Sequence, residues 1–275
     1  MVGLSRAGRR FVLGAVILWL TLIIPGYTWD DVDGPAAGDP ESIGRYAAGC
    51  AIGAARLPPD GVGYQAVRLD RNRHYGHPEL VRFIETLAQG AEDAGLGLLP
   101  VGDMSQPRGG PMIEAHASHQ IGLDVDIYFR LDLPRLPEGE RGEELELPSL
   151  VNDEALQIDP AFGNVQAELL RLAASDSGVA RIFVNPLIKQ AMCERQWQDR
   201  SFLRRLRPWF GHGDHMHVRL ACPPGSADCI AQLEPPPSDG CGSELGSWLE
   251  RGQIPSRAPG VRRVPDLPMR CAALR

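Results

Sequence analysis

The sequence predicts an α+β fold: a single domain with a small central antiparallel sheet and helices packed around it. Short period-two stretches, "YQAVRLDR", "GLDVDIYF", "ARIFVN" and "DHMHVRLA", are interspersed with 3.6-period stretches such as "HPELVRFIETLAQGAEDAG". No internal repeat is present. Hydrophobic content of 43% with 23% charged residues over 275 residues is ordinary globular composition, and enough chain to bury one sizeable core.

The chain begins with residues 1–28, where three arginines precede an uncharged apolar run from Phe11 to Ile24. A basic segment followed by a short apolar one is the pattern of an export signal. The run is short of the ~20 residues that span a bilayer comfortably. No clear small-residue cleavage site follows it, so the segment is either a signal peptide or an uncleaved anchor forming a membrane tether. Residues 29–42, rich in Gly, Pro and Asp, read as a linker, and 43–275 as the folded domain. Leu80, Phe83, Ile84 and Leu87 share one face of the first helix, which Gly95 ends. "LGLLPVGDM" reads as a short strand running into the loop "SQPRGGP". In "GLDVDIYF" the alternation puts Asp124, Asp126 and Tyr128 on one face, with Val125 and Ile127 on the other. "NVQAELLRLAASD", "PLIKQAMC" and "DRSFLRRLR" read as helices.

From about residue 230 the chain is Pro- and Gly-rich apart from a short helix near "SELGSWLE". Such a tail cannot bury a core alone, so it is expected to lie against the domain, tethered by cysteines. The six cysteines are Cys50, Cys193, Cys222, Cys229, Cys241 and Cys271. An even number in an exported chain points to disulfides and an oxidising compartment, and six allow fifteen pairings. A net charge of -7 excludes a nucleic-acid surface, which requires a basic stripe. The acidic run "EGERGEELELP" reads as a solvated loop.

Five of the seven histidines fall in two clusters, "HASHQIGLDVDIYF" with His116 and His119, and "GHGDHMHVRL" with His212, His215 and His217. Strand residues two apart share a face, so His215 and His217 emerge side by side. Two imidazoles and a carboxylate are a usual set of ligands for catalytic zinc, and His119, Asp126 and His217 supply one. A lone H-x-H is a weak signal; the coincidence of residue types on strands that can pair carries the expectation. His74 and His77 read instead as a turn and a helix start. No H-E-x-x-H helix and no G-x-S-x-G elbow is present.

At this point the chain resembles the penicillin-insensitive murein endopeptidases, within the wider superfamily of lysostaphin-type peptidases, D-Ala-D-Ala carboxypeptidases and Hedgehog domains. The likeness is carried by "HASHQIGLDVDIYF" and "RPWFGHGDHMHVRLACP", and extends through "SIGRYAAGCAIGA", "RNRHYGHPELVRFIETLA", "RIFVNPLIKQ" and "SDGCGSELGSWLE". It implies zinc ligands at His119, Asp126 and His217, with His116 beside the metal. It also implies a transition-state role for His215, with His212 a further active-site histidine. The disulfide pattern it implies is Cys50 with Cys271, Cys193 with Cys241 and Cys222 with Cys229. A second metal position in the family uses an Asp and a His after the "LDVDI" strand; "LVNDEALQIDPAF" offers Asp153 but no histidine. One zinc ion is therefore expected.

The resemblance implies a periplasmic zinc peptidase cutting D-alanyl–meso-diaminopimelyl cross-links of peptidoglycan, without a serine for a β-lactam to acylate. Two alternatives stand beside it. One is a D,D-carboxypeptidase that trims terminal D-Ala, the other a non-catalytic wall-binding domain with a structural zinc.

Overall fold

A computed structural model describes residues 29–112, 116–152, 155–251 and 266–274. The N-terminal segment 1–28, Asp153 and part of the tail lie outside the described residues. The chain first makes a hairpin of β1 (Glu41–Arg45) and β2 (Ala48–Ile52). Seven further strands form the main sheet: β3 (Asp60–Gly61), β4 (Tyr64–Ala66), β5 (Leu99–Val101), β6 (Asp124–Tyr128), β7 (Val179–Val184), β8 (Leu206–Pro208) and β9 (His215–Leu220). Their spatial order is β8-β7-β9-β6-β5-β4-β3.

The expected small antiparallel sheet is thus corrected to a seven-stranded mixed one, in which β7 pairs parallel with β8 and β4 parallel with β5. The reason is physical. The stretches "YQAVRLDR" and "LGLLPVGDM" do supply β4 and β5, but β3 and β8, two and three residues long, are too short to show a period of two. Pro208 sits in β8, where proline ordinarily argues against a strand reading. "DRSFLRRLR", expected to be helical, is a 3-10 turn over Ser201–Arg205 that passes directly into β8.

The helices are α1 (Pro78–Asp93), α2 (Asn164–Ser175), α3 (Pro186–Glu194), α4 (Ser243–Glu250) and α5 (Met269–Ala272). Helix α1 forms where the sequence marks it. His77 is its N-cap, accepting the Glu79 N–H on Nδ1 at 3.2 Å, and Pro78 takes the first turn. Gly95, at φ 67°, ends it: Gly95 N–H bonds Glu92 O and Leu96 N–H bonds Ala91 O, both at 2.9 Å. That double closure needs a left-handed residue, which glycine supplies without a Cβ penalty. Its Leu80, Phe83, Ile84 and Leu87 are buried, each worth ~1.5–3 kcal/mol of apolar burial. His74, as read, serves a loop, its Nε2 3.0 Å from Val67 O.

The alternation along β6, β7 and β9 separates two faces. Val125, Ile127, Ile182, Val184, Met216 and Val218 point into the core with buried residues of α1, α2 and α3. Asp124, Asp126, His215, His217 and Arg219 occupy the opposite face. Over it lie the loop before β6 and the start of the tail: Ser42 Oγ donates to Ile121 O at 2.7 Å, and Arg219 to Gln232 Oε1 at 2.9 Å. Within the segment read as a linker, Trp29 and Val32 are buried.

Three disulfides are present: Cys50–Cys271, Cys193–Cys241 and Cys222–Cys229. The first spans 221 residues and fastens α5 to β2. Lys189 of α3 adds a further tie, its buried ammonium donating to Leu203 O at 2.8 Å and to Asp239 O at 2.6 Å. Among the described residues no helix is long and apolar enough to cross a membrane. The apolar run from Phe11 to Ile24 lies outside them.

Candidate metal centre

Antiparallel pairing of β9 with β6 sets His217 directly opposite Asp126, and His215 opposite Tyr128. Directly opposed residues project to the same face, so the two sequence clusters meet there. His119 arrives from the loop before β6 in a left-handed conformation, φ 66°, uncommon for a residue with a side chain. Two bonds hold it: its N–H donates to Asp124 Oδ2 at 2.9 Å, and its Nδ1 donates to Met104 O at 2.7 Å. The loop can turn there because Gly122 has φ 71°, and a Cβ on it would lie 3.0 Å from the His77 nitrogen.

Three atoms converge. His119 Nε2 lies 3.3 Å from Asp126 Oδ1, His217 Nδ1 lies 3.2 Å from the same oxygen, and the two nitrogens are 3.2 Å apart. His119 Nδ1 is occupied by its hydrogen bond to the Met104 carbonyl, so Nε2 is the nitrogen turned toward the other two atoms. His217 Nε2 lies 3.2 Å from Asp124 Oδ1, a carboxylate that favours the proton on that nitrogen and so leaves Nδ1 as the atom available to a cation. Asp126 Oδ1 is buried with no hydrogen-bond partner. Three inward-facing acceptors at this spacing fit a cation. A tetrahedral ion with bonds of ~2.0–2.1 Å would put neighbouring donor atoms about 3.3–3.4 Å apart.

His116 stands at the rim of the same point. Its donor atoms, those of His119 and those of Asp126 lie within 4.8 Å of one another, a possible His-His-Asp metal site. Its Nδ1 is 3.7 Å from Asp126 Oδ2, while its Nε2 is 2.7 Å from Asp103 Oδ2. His215 Nε2 lies 3.6 Å from Asp126 Oδ1, and its Nδ1 is 2.7 Å from Asp214 Oδ1. His212 is the outermost, at φ 54°, with Nδ1 donating to Phe210 O at 3.1 Å and its ring 5.0 Å from that of His215. All six expected site residues therefore gather in one place. Asp153 lies outside the described residues.

Charge separates the histidines. Burial pushes the His215 imidazole down, but Asp126 and Asp214 outweigh it and raise it to about 9. Burial pushes His212 down to about 3, with the charges of His215 and His217 adding to the effect. Burial opposes ionisation of Asp126, yet His215, His119 and His217 hold it well below the usual carboxylate range. Asp124 is likewise held low against its burial by Arg219 and His217.

Four supporting residues escaped sequence reasoning as parts of the site. Asp124 accepts both Arg219 Nε at 2.7 Å and Nη2 at 3.1 Å, in addition to the His119 N–H. Asp103 faces His116, and Asp214 faces His215. The only sequence signal for Asp124 and Arg219 is their place on the metal-facing side of their strands. Asp103 carries no such mark.

A family model described as penicillin-insensitive murein endopeptidase matches residues 42–275. The chain belongs to this peptidase family. It is 42% identical over 271 residues, 97% of each chain, to a protein of Yersinia enterocolitica named penicillin-insensitive murein endopeptidase. Proteins of the same name from Klebsiella pneumoniae and Salmonella paratyphi B are 44% and 45% identical, over 90% of each chain. Family membership makes the chain a peptidase, and a metal site of the His-His-Asp kind is compatible with that family.

Proposed function

We propose that the chain is a zinc-dependent endopeptidase that hydrolyses D-alanyl–meso-diaminopimelyl cross-links of peptidoglycan. One observation carries the reading: His119 Nε2, His217 Nδ1 and the orphaned Asp126 Oδ1 converge at 3.2–3.3 Å. Zinc is the ion proposed, held by these three residues. When bound it supplies Lewis acidity, polarising a carbonyl and making a water nucleophilic near neutral pH.

The protein's own groups supply the rest. His215, fixed by Asp214 on Nδ1, points Nε2 toward the point of convergence. It is placed to donate to the oxygen that gains charge as the scissile carbonyl becomes tetrahedral. His212, donating from Nδ1 to Phe210 O, presents Nε2 as a hydrogen-bond acceptor toward substrate or water. Asp103 holds His116 at the rim, where it flanks rather than completes the tight set. No step requires a serine acyl-enzyme, so a β-lactam has no nucleophile to trap.

Cross-links are a periplasmic substrate, in keeping with three disulfides and the proposed export role of 1–28, as a cleaved signal or a retained tether. Mass spectrometry of purified muropeptides before and after incubation tests the reading. Dimers should fall to monomers, and a chelator should abolish the change. Loss of terminal D-Ala from uncrosslinked pentapeptides, with dimers intact, would make the chain a carboxypeptidase. No change in either would leave a structural ion.

A further inference from the structure

An aromatic ledge beside the site takes no part in the reaction above. Trp209 is 52% exposed. Its ring centre lies 5.6 Å from that of Trp248, and Phe210 lies 5.0 Å from Trp248. The Arg251 guanidinium covers Trp248 at 4.5 Å, so Trp209 presents the open ring. The ledge is continuous with the site: Phe183 bridges the ring of Trp209 at 5.8 Å to that of His217 at 5.3 Å. A cavity of about 220 Å³ opens beside it, lined in part by Leu156, Pro186, Leu187, Phe210 and Trp248. Among the described residues that line it, none is charged.

Resting on the murein reading above, we propose that this ledge is a sugar subsite, which holds a pyranose ring of the glycan strand that carries the cross-linked peptide. Three features select that occupant. Stem peptides present carboxylates and ammonium groups, which would lose hydration in the cavity, whose described lining is uncharged. A pyranose offers a C–H face for stacking, with neutral hydroxyl and amide groups. The cavity is also far larger than an alanine methyl requires. Distance agrees as well: ring-to-ring steps of 5.3, 5.8 and 5.6 Å lead from His217 to Trp248. A stem peptide of a few residues, at ~3.3–3.6 Å per residue, covers such a path. The ledge would thus read the glycan while the histidines act on the peptide.

The test compares two substrates for the zinc-loaded full chain: a cross-linked dimer bearing its disaccharides, and the same dimer stripped of sugars by an amidase. The native chain is expected to favour the glycan-bearing dimer in kcat/KM. Trp209→Ala should reduce that preference by roughly 3- to 10-fold through KM, the range expected for losing one stacked ring. Trp209→Phe should keep most of the preference, and Trp248→Ala should lose part of it. A preference ratio that Trp209→Ala leaves unchanged overturns the subsite. So does an equal loss on both dimers, which assigns the ledge to the peptide. A native chain that cuts neither dimer overturns the murein reading and the subsite with it, an outcome distinct from a flat ratio with both dimers cut.

Discussion

Replacing Asp124 by Asn should weaken the fold and the metal site together. Asp124 is fully buried, accepts two Arg219 N–H groups at 2.7 and 3.1 Å, takes the His119 N–H at 2.9 Å, and lies 3.2 Å from His217 Nε2. An asparagine has one acceptor oxygen, so it cannot serve Arg219, His119 and His217 at once, and its own N–H groups would face donors. Breaking a buried pair from one side typically costs about 3–5 kcal/mol, because the remaining charge is stranded. Arg219 also lies over the Tyr46 ring at 4.2 Å and bonds Gln232, which softens the loss. The expected destabilisation is therefore near the lower end, about 3 kcal/mol. Losing the group that orients two ligands should weaken zinc binding by about 10- to 100-fold. Urea unfolding of the zinc-free variant and a zinc competition titration measure the two effects. Replacing both partners, Asp124→Leu with Arg219→Met, should cost less stability than Asp124→Asn alone, since no charge is left unpaired. A stability loss below ~1 kcal/mol with native zinc affinity would refute the reasoning.

Lys189 offers a pH test: burial, opposed by Asp239 and Glu244 and aided by Arg207 and Arg200, pushes its ammonium down to about 8 from 10.5. The unfolded chain keeps that proton between those values, so Lys189 should add up to about 3 kcal/mol of stability as pH rises through the window, and lose it again as pH falls through 8. The difference in unfolding free energy between the native chain and Lys189→Met should change by that amount from pH 7 to 10, and a flat difference would count against it. Cys193→Ala with Cys241→Ala opens a loop spanning 48 residues, expected to cost about 4 kcal/mol in the chain-entropy model, read as a lower urea midpoint. His215→Ala should slow dimer cleavage by roughly 10²-fold or more, the typical loss for one oxyanion stabiliser or general acid; cleavage at the native rate would remove its assigned role.

Much of the site was legible because strand periodicity is strict. A period of two forces His215, His217 and Arg219 onto one face of β9, and Asp124 and Asp126 onto one face of β6. Helix α1 was equally readable, since its cap, apolar stripe and terminal glycine all agree. The size of the sheet was not legible. Its edge strands β3 and β8 are two and three residues long, β8 ends in proline, and both exist through pairing with neighbours that only the folded chain brings near. Asp103 and Asp214 were missed for a related reason: each meets a site histidine, His116 and His215, through a single hydrogen bond, and the first spans thirteen residues of chain with no periodic relation. The aromatic ledge joins Trp209 to Trp248 across a Pro-rich tail, which no local pattern predicts.

Counting zinc per chain by native mass spectrometry, on the parent, His215→Ala and His217→Ala, tests the central claim most directly. The converging set of His119, Asp126 and His217 predicts one ion in the parent, one in His215→Ala and none in His217→Ala, because only His217 brings a nitrogen to 3.2 Å from both other donors. An ion lost from His215→Ala, or kept in His217→Ala, would contradict that assignment.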